Sequence, residues 1–199
     1  MRLLDLFCGA GGAAVGYHRA GFDEIVGVDL HPQPHYPFQF VQGDALDYAK
    51  QHGTLFNAIH ASPPCPHFSF ATRFHQGARD NHPDLIAPTR TTLMNIGVPS
   101  VIENVPGAPI RKDLCCCGEL FGLRLHRHRY FEISRAYVAK LPHRKHQLRG
   151  AAHNCDLREG HARLVAGHFS GLTSAQVAMG IDWMDANDQA QATTEAYTE

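Results

Sequence analysis

The sequence predicts an α/β protein: a sheet of parallel strands with helices on both faces and a small irregular appendage. The chain begins with an apolar strand, a glycine-rich turn and a helical segment over residues 2–20. Further short apolar segments then alternate with helical or loop segments as far as residue 102, as in βαβ units. At 199 residues with 44% hydrophobic side chains, the chain is long enough for one well-buried core. We therefore expect one domain.

The first predicted strand, Arg2–Leu6, is mostly apolar, as buried parallel strands are. It leads into a turn with glycines at 9, 11 and 12, and then into a predicted helix over residues 13–20. Glycine supplies the backbone conformations of a tight turn and lets a ligand approach closely. The spacing matches neither a dinucleotide fingerprint nor a phosphate-binding loop, so the turn alone does not identify a ligand.

A second strand, Glu24–Val28, ends at Asp29, which has the position of a ribose-binding carboxylate in nucleotide-binding βαβ units. An adenosine-type ligand is therefore plausible. A loop rich in proline and histidine and a short strand follow, and then Asp44. This carboxylate could accept a hydrogen bond from an adenine amino group or cap the helix that begins at Ala45, and the two roles are compatible.

The next predicted strand, Phe56–His60, leads to Cys65, which three prolines surround. Because proline fixes φ and lacks an N–H donor, Cys65 cannot belong to a regular helix or a central strand. A thiol on a stiff loop after a strand is a candidate nucleophile, and a buried structural cysteine is the alternative. The long polar loop 68–82 is predicted to be a mobile active-site loop.

A helix is predicted between about Asp84 and Ile96, followed by a strand, Ser100–Ile102, that ends at Glu103. A carboxylate there would lie on the same sheet edge as Cys65, which packing does not explain.

Arg127 and Arg129 would share one face if residues 126–131 form a strand, and two adjacent guanidinium groups require an anion or carbonyl oxygens. Residues 134–167 show no firm period and predict loops with short strands. A capped helix is predicted from Leu172 onward.

Charge is distributed unevenly along the chain. Residues 111–149 carry 10 basic and 3 acidic side chains, whereas residues 150–199 carry 2 and 7. A basic cluster of this kind suits a polyanion-binding surface, although an ordinary solvated face has the same appearance.

No apolar run approaches the roughly 20 residues that span a bilayer, and the N-terminus lacks signal-peptide features, so we expect a soluble, cytoplasmic protein. The adjacent cysteines at 115–117 favour free thiols over a disulfide framework. Because no C-x-x-C pair exists, we predict no metal site. The residues with the right chemistry for zinc are Cys115, Cys116, Cys117, Cys155, His143, His146 and His153.

Four motifs, in this order, resemble those of the cytosine-5 DNA methyltransferases: Asp5–Gly12 the S-adenosylmethionine turn, Pro63–Cys65 the nucleophile loop, Glu103–Val105 the glutamate motif and Arg127–Arg129 the arginine motif. The resemblance covers most of residues 1–131 and returns weakly at the C-terminus. It implies the Rossmann-like sheet of an S-adenosylmethionine-dependent methyltransferase. It also implies a protein of the cytoplasm of a bacterial or phage-infected cell.

The resemblance implies methyl transfer from S-adenosylmethionine to carbon 5 of cytosine in double-stranded DNA. Carbon 5 is a weak nucleophile, so the Cys65 thiolate would first add to carbon 6. Glu103 at N3 and the exocyclic amine, with Arg127 or Arg129 at O2, would stabilise the charge that enters the ring. The target cytosine would be flipped out of the duplex.

By the same resemblance, six residues would contact the cofactor: Phe7, Gly9 and Gly11 around its methionine and ribose portions, Asp29 at the ribose hydroxyls, Asp44 at the adenine amino group, and Pro63 beside the adenine. Cys8 is interpreted as packing against the turn.

The resemblance also divides the chain into a catalytic, cofactor-binding domain (1–133), a reduced target-recognition region (134–167) and a C-terminal segment returning to the catalytic domain (168–199). Two positions depart from the family pattern, since Pro66 and Leu125 stand where glutamine is common. Both changes remove polar contacts without removing a catalytic group. A monomer is favoured.

Two alternatives remain open. The same motifs could serve cytosine in RNA, with a small recognition region that reads shape. A degenerate homologue that binds DNA without catalysis would fit the short recognition region. The presence of the cysteine, the glutamate and both arginines argues against the second alternative.

Overall fold

The computed structural model describes most of the N-terminal two thirds of the chain and parts of the remainder. The described residues are 1–64, 84–134, the backbone of 149–151 and 161–163, and, nearer the C-terminus, 176, 179, 181–185 and 194–198. Cys65, the predicted mobile loop 68–82 and most of the predicted C-terminal helix lie outside the described residues. No helix among the described residues is long and apolar enough to cross a membrane.

Seven strands form one mixed sheet with the order β3-β2-β1-β4-β5-β7-β6. Its strands are β1 (Arg2–Leu6), β2 (Glu24–Asp29), β3 (Gln39–Gln42), β4 (Ala58–Ala61), β5 (Ser100–Asn104), β6 (Leu114–Cys116) and β7 (Arg129–Ile133). The α-helices of the sheet region are α1 (Gly12–Arg19), α2 (Ala45–His52) and α3 (Ile86–Ile96). Strands β8 (Arg149–Ala151) and β9 (His161–Arg163) pair in parallel as a separate two-stranded sheet.

Strands β1 to β5 are parallel, as the sequence predicts, whereas β7 and β6 run antiparallel to their neighbours. The α/β prediction is confirmed, and the antiparallel edge is the part it lacks. An antiparallel strand needs no crossover helix, so no helical pattern in the sequence indicates that such a strand follows. At three residues, β6 is also too short to show an alternating pattern.

The two faces of β1 explain why helices cover the sheet on both sides. Leu4 and Leu6 belong to the buried cluster formed with α2 and α3, whereas Leu3 belongs to the cluster that includes Ala14 of α1. Successive side chains of a strand point to opposite faces, so one apolar strand supplies both layers.

The beginning of α3 shows how the chain accommodates Pro88 in a helix. Helix α3 begins at Ile86, whose N–H donates to Asp84 Oδ1 at 2.9 Å, and Pro88 falls in the first turn. The first N–H groups of a helix have no partner within it, so the missing N–H of Pro88 costs little there. The helix ends at Gly97, in the left-handed conformation that suits glycine.

The residues near the C-terminus contact two distant segments. The Thr198 hydroxyl donates to the carbonyl oxygen of Ala13 at 2.9 Å, and the buried Tyr197 hydroxyl donates to that of Arg127 at 2.5 Å. One short segment thus joins the beginning of α1 to the chain just before β7.

Candidate active site

The topology brings the ends of three neighbouring strands to one edge of the sheet. Strands β1, β4 and β5 are adjacent and parallel, so their carboxyl ends lie side by side. The glycine turn follows β1, Pro63 follows β4, and Glu103 lies in the last two residues of β5. Glu103 is therefore inside the strand, because β5 runs two residues further than the sequence predicts.

The turn after β1 has an unusual backbone. Gly9 and Gly11 adopt φ of 48° and 91°, and Phe7 adopts a φ of 55° although it is not glycine. A left-handed non-glycine residue costs roughly 1–2 kcal/mol, so the surrounding structure must hold Phe7 there. The Cys8 N–H donates to the carbonyl oxygen of Val28 at 3.2 Å, which ties the turn to β2.

The two glycines of the turn have different surroundings. A Cβ added to Gly9 would meet no atom of the described residues within 4 Å, so Gly9 borders open space in this part of the chain. A Cβ added to Gly11 would lie 2.9 Å from atoms of both Tyr36 and Pro37. Among the described residues, protein atoms fill the side of Gly11 where a Cβ would lie, whereas the same side of Gly9 leaves room for a ligand.

Asp29 holds the turn from the end of β2. Its Oδ2 accepts from the Gly9 N–H at 3.0 Å and its Oδ1 from the His31 N–H at 3.1 Å. The carboxylate thus fixes the backbone of Gly9 in the turn and that of His31 in the loop after β2. Leu30, which follows it, is 63% exposed, and sequence reasoning did not single it out.

Asp44 caps α2, as one of its two predicted roles requires. Its Oδ1 accepts from the Asp47 N–H at 2.9 Å, while its Oδ2 has no hydrogen-bond partner within the described part of the chain. The cap therefore leaves one oxygen of this exposed carboxylate available.

Glu103 forms a buried ion pair with the first residue of β7. Its Oε1 lies 2.7 Å from Nε of Arg129, and the two side chains are 6% and 11% exposed. That oxygen nevertheless accepts no well-directed hydrogen bond in the described part of the molecule. The arginine compensates the buried charge while leaving hydrogen-bonding capacity on the carboxylate.

The two arginines lie differently from the prediction of a strand over 126–131. Only Arg129 belongs to β7, and Arg127 precedes the strand. Burial still alternates, since Leu125, Arg127, Arg129 and Phe131 are buried and the residues between them are less so. The chain is therefore close to extended before it enters the ladder. Arg127 is held through its main-chain carbonyl, which accepts from Tyr197.

Asn104 has a role that the sequence analysis missed. Its Nδ2 donates to the carbonyl oxygen of Pro63 at 2.9 Å, and its Oδ1 accepts from the Val105 N–H at 2.9 Å. The side chain is 2% exposed, and both of its polar atoms have a hydrogen-bond partner. Asn104 thus fixes the chain two residues before Cys65. A polar amide at the end of a buried strand is the signal that could have identified it.

A second buried polar group lies beside the end of β4. His60 is buried, with Nδ1 3.1 Å from the Tyr17 hydroxyl and Nε2 2.8 Å from Ser62 Oγ. Burial lowers the pKa of His60 to about 4, so the ring is neutral at pH 7. The link connects α1 to the residue just before Pro63.

The described thiols are poor candidates for the nucleophile. Cys8 is buried among Leu3, Ala14, Ile25 and Tyr36, and burial raises the pKa of its thiol well above the usual range. Burial also raises the pKa of Cys116 to about 12. A nucleophilic cysteine requires its thiolate at neutral pH, so neither fits that role.

Within the described residues no group of three or more metal-binding side chains is found. Cys155, His143, His146 and His153 lie outside the described residues.

The edge fits an adenosine-type cofactor such as S-adenosylmethionine. Open space at Gly9 admits a ligand against the backbone, Leu30 offers an apolar surface, and Asp44 retains a free acceptor. Adenosine presents a flat apolar ring with an amino donor, which these groups complement.

A family model described as C-5 cytosine-specific DNA methylase matches residues 1–112. No curated protein matches the chain.

Among solved structures, the chain is similar to a prophage-encoded E. coli protein assigned as a DNA modification methyltransferase, with 22% identity, a TM-score of 0.50 and 66% of this chain covered. This chain spans only 45% of that protein. It is also similar to an RNA methyltransferase from Salinibacter ruber in complex with S-adenosyl-L-homocysteine, with 14% identity, a TM-score of 0.41, and 69% of this chain and 83% of that one covered.

Proposed function

The chain belongs to the C-5 cytosine-specific DNA methylase family, and from that premise we propose that it transfers a methyl group from S-adenosylmethionine to carbon 5 of cytosine in double-stranded DNA. Membership implies this cofactor, which supplies an electrophilic methyl group when bound. The observation that carries the proposal is the buried pair of Glu103 and Arg129, beside the Asn104 contact that fixes Pro63. These groups lie at the sheet edge that carries the glycine turn.

Cys65 is the proposed nucleophile. Its thiolate sulfur forms a bond to carbon 6, and the electrons of the double bond between carbons 5 and 6 become available at carbon 5, which would take the methyl group and leave S-adenosylhomocysteine. A base then removes the carbon-5 proton, the bond from sulfur to carbon 6 breaks, and the double bond is restored. The Cys65 thiolate returns to its starting state.

Glu103 and the arginines act on the ring of the bound cytosine in this proposal. Addition of the thiolate places negative charge on N3 and O2. One oxygen of Glu103 accepts a hydrogen bond from the exocyclic amine. A proton taken up from solvent lies between its other oxygen and N3 during the addition and is given back at the elimination, and a guanidinium group of Arg127 or Arg129 donates to O2. The ion pair holds these groups in position before the target cytosine binds, so little reorganisation is needed during the reaction.

Asn104 acts through the backbone as a positioning residue. Because its side chain binds the carbonyl oxygen of Pro63, it fixes the direction in which the chain leaves β4 toward Cys65. The proposed cofactor contacts are Phe7, Gly9, Gly11, Asp29, Asp44 and Pro63. Gly11 can reach the cofactor only through its backbone, because protein atoms fill the space where its Cβ would lie.

DNA is the proposed partner, with the target cytosine flipped out of the duplex because carbons 5 and 6 must be approached from above and below the ring. The excess of basic residues over 111–149 would contact phosphates. The division at residues 133 and 167 and the monomeric state remain proposals.

A duplex that contains 5-fluorocytosine tests the mechanism directly. Fluorine cannot leave as a proton does, so the enzyme should stay covalently attached to the duplex after methyl transfer. We expect a DNA-linked band on a denaturing gel that requires S-adenosylmethionine and disappears in Cys65→Ala. Cys115→Ala is the matched control, since this half-buried thiol lies on β6, outside the proposed site.

Three outcomes would contradict the proposal in different ways. Binding of S-adenosylhomocysteine without any adduct would favour the non-catalytic homologue. Methylation of RNA but not DNA by the same preparation would favour the RNA alternative. Loss of folding in Cys65→Ala would favour a structural cysteine.

A further inference from the structure

Tyr36 is an unusual residue for its position in the chain. It lies in the loop between β2 and β3, where the other residues from 31 to 37 are exposed or half-buried. Tyr36 itself is only 8% exposed and belongs to the buried cluster with Leu3, Ala14 and Ile25. The loop therefore inserts one aromatic ring into the body of the protein.

The ring occupies space that two glycines leave open. A Cβ on Gly27 of β2 would lie 2.2 Å from Cζ of Tyr36, and a Cβ on Gly11 would lie 2.9 Å from its Cδ2 and Cε2. Contacts shorter than 3 Å cannot be accommodated without movement of the ring or the backbone. The ring is thus wedged between the central strands and the glycine turn.

The hydroxyl of Tyr36 reaches a third segment. It donates to Asp5 Oδ2 on β1 at 3.2 Å, and Asp5 is 1% exposed. The other carboxyl oxygen of Asp5 has no hydrogen-bond partner in the described part of the chain. Burial raises the pKa of Asp5 well above its usual range, so the carboxyl group under the turn is costly to ionise. Removing the hydroxyl would leave Asp5 without this partner.

We propose that Tyr36 is a positioning residue for the cofactor turn: its ring packs against Gly11 and so maintains the space at Gly9 before the cofactor binds. The inference rests on the proposed function only in taking S-adenosylmethionine as the ligand. Gly11 has a φ of 91° and donates its N–H to the carbonyl oxygen of Cys8 at 3.1 Å. With the ring absent, the turn gains alternative conformations, and ordering them lowers the binding affinity.

The first test uses the ligand-free protein. Amide hydrogen exchange at Gly9 and Gly11 should be faster by about tenfold or more in Tyr36→Leu, because these N–H groups are protected only while the turn is closed. Phe22→Leu is the matched control, since Phe22 packs against the same cluster but its ring contacts Tyr17. It should lower thermal stability without changing exchange at the two glycines.

The second test measures affinity for S-adenosylhomocysteine by calorimetry. We expect a dissociation constant about tenfold higher in Tyr36→Leu and about two- to threefold higher in Tyr36→Phe, which keeps the ring and loses one hydrogen bond. Gly27→Ala displaces the ring from the strand side and should reproduce the effect of Tyr36→Leu. If Tyr36→Leu does not fold, Gly27→Ala and Tyr36→Phe carry both tests.

Unchanged exchange and unchanged affinity in the folded variants would overturn the inference, as would an equal effect of Phe22→Leu. Neither measurement needs DNA. A wild-type protein that binds S-adenosylhomocysteine but forms no 5-fluorocytosine adduct would therefore contradict the proposed function without affecting this inference. If the wild-type protein binds no S-adenosylhomocysteine, exchange in the ligand-free protein still decides.

Discussion

The parallel and antiparallel regions of the sheet are held together differently. In the parallel region, β1 to β5, the cofactor turn is fixed by main-chain N–H groups of Gly9 and His31 that converge on Asp29. In the antiparallel region, β7 and its surroundings are attached by side chains from distant segments. These contacts join Arg90 to Glu132, Tyr197 to Arg127, and Arg129 to Glu103.

The difference predicts where single substitutions do the most damage. A main-chain donor survives most substitutions of its own residue, so the attachment of the turn depends on one side chain, that of Asp29. The antiparallel region depends on several side chains, and each of its attachments is lost with one change. The proposed catalytic ion pair spans the boundary, because Glu103 is the second-last residue of β5 and Arg129 begins β7. We therefore expect the antiparallel region to be the more fragile one.

The largest effect is expected from breaking that ion pair. Arg129→Leu leaves Glu103 buried without compensation, which should lower the free energy of unfolding by about 3–5 kcal/mol. The adduct with 5-fluorocytosine should also be lost, since the carboxylate loses its position. Urea denaturation measures the first quantity and the gel assay the second.

Lys50→Ala is the matched control for this change. Lys50 pairs with Asp47 at 2.9 Å, and the two side chains are 58% and 66% exposed, so water screens the pair and its loss should change the free energy of unfolding far less than Arg129→Leu does. Equal destabilisation by the two substitutions would contradict the comparison between a buried and an exposed pair.

The sequence predicted the parallel region of the sheet better than the antiparallel region. Strands β1 to β5 and the turn are each marked by apolar runs, glycines or prolines that lie within a few residues of one another in the chain. Local sequence patterns were therefore sufficient to predict this region. The helix cap at Asp44 was predicted for the same reason and is confirmed. Strand β6 and the contacts of Tyr197 and Thr198 depend on residues far apart in the chain, which no local pattern encodes.

The candidate site shows the same limit at the level of single residues. Glu103 and Arg129 were predicted separately from their motifs, but their direct contact depends on the antiparallel register of β5 and β7. Asn104 and Tyr36 were missed because their importance lies in what they touch. A buried tyrosine over two glycines has no sequence signature, since the glycines are 16 residues apart in the chain.

The second expected effect concerns pH and belongs to the parallel region. His60 has a pKa of about 4 when folded, below the ordinary 6.5, so the unfolded chain binds the extra proton first as the pH falls. Stability should therefore decrease from about pH 6.5 down to pH 4, by up to about 3 kcal/mol from this residue. Urea denaturation at several pH values measures the dependence.

His60→Gln isolates the contribution of the ring. The amide can keep hydrogen bonds to Tyr17 and Ser62 but cannot titrate, so the decrease below pH 6.5 should be smaller in the variant. Asp5 acts in the opposite direction, because its raised pKa makes the folded protein hold a proton that the unfolded chain releases as the pH rises above about 4. Parallel pH curves for wild type and His60→Gln would refute the assignment.

The smallest of these effects is expected at the C-terminal attachment of the antiparallel region. Tyr197→Phe removes one hydroxyl from a buried site and leaves the carbonyl oxygen of Arg127 without that donor, which should cost about 1–2 kcal/mol in unfolding free energy. If the attachment matters for the arginines, the adduct should also form more slowly while affinity for S-adenosylhomocysteine stays unchanged. Thr198→Val is the informative control, because Thr198 belongs to the same segment but binds Ala13 at the beginning of α1. If only Tyr197→Phe forms the adduct more slowly, the attachment of Arg127 matters separately from the docking of the C-terminal segment. If both variants are slowed equally, the segment acts as one unit, and the parallel and antiparallel regions are less independent than their contacts indicate.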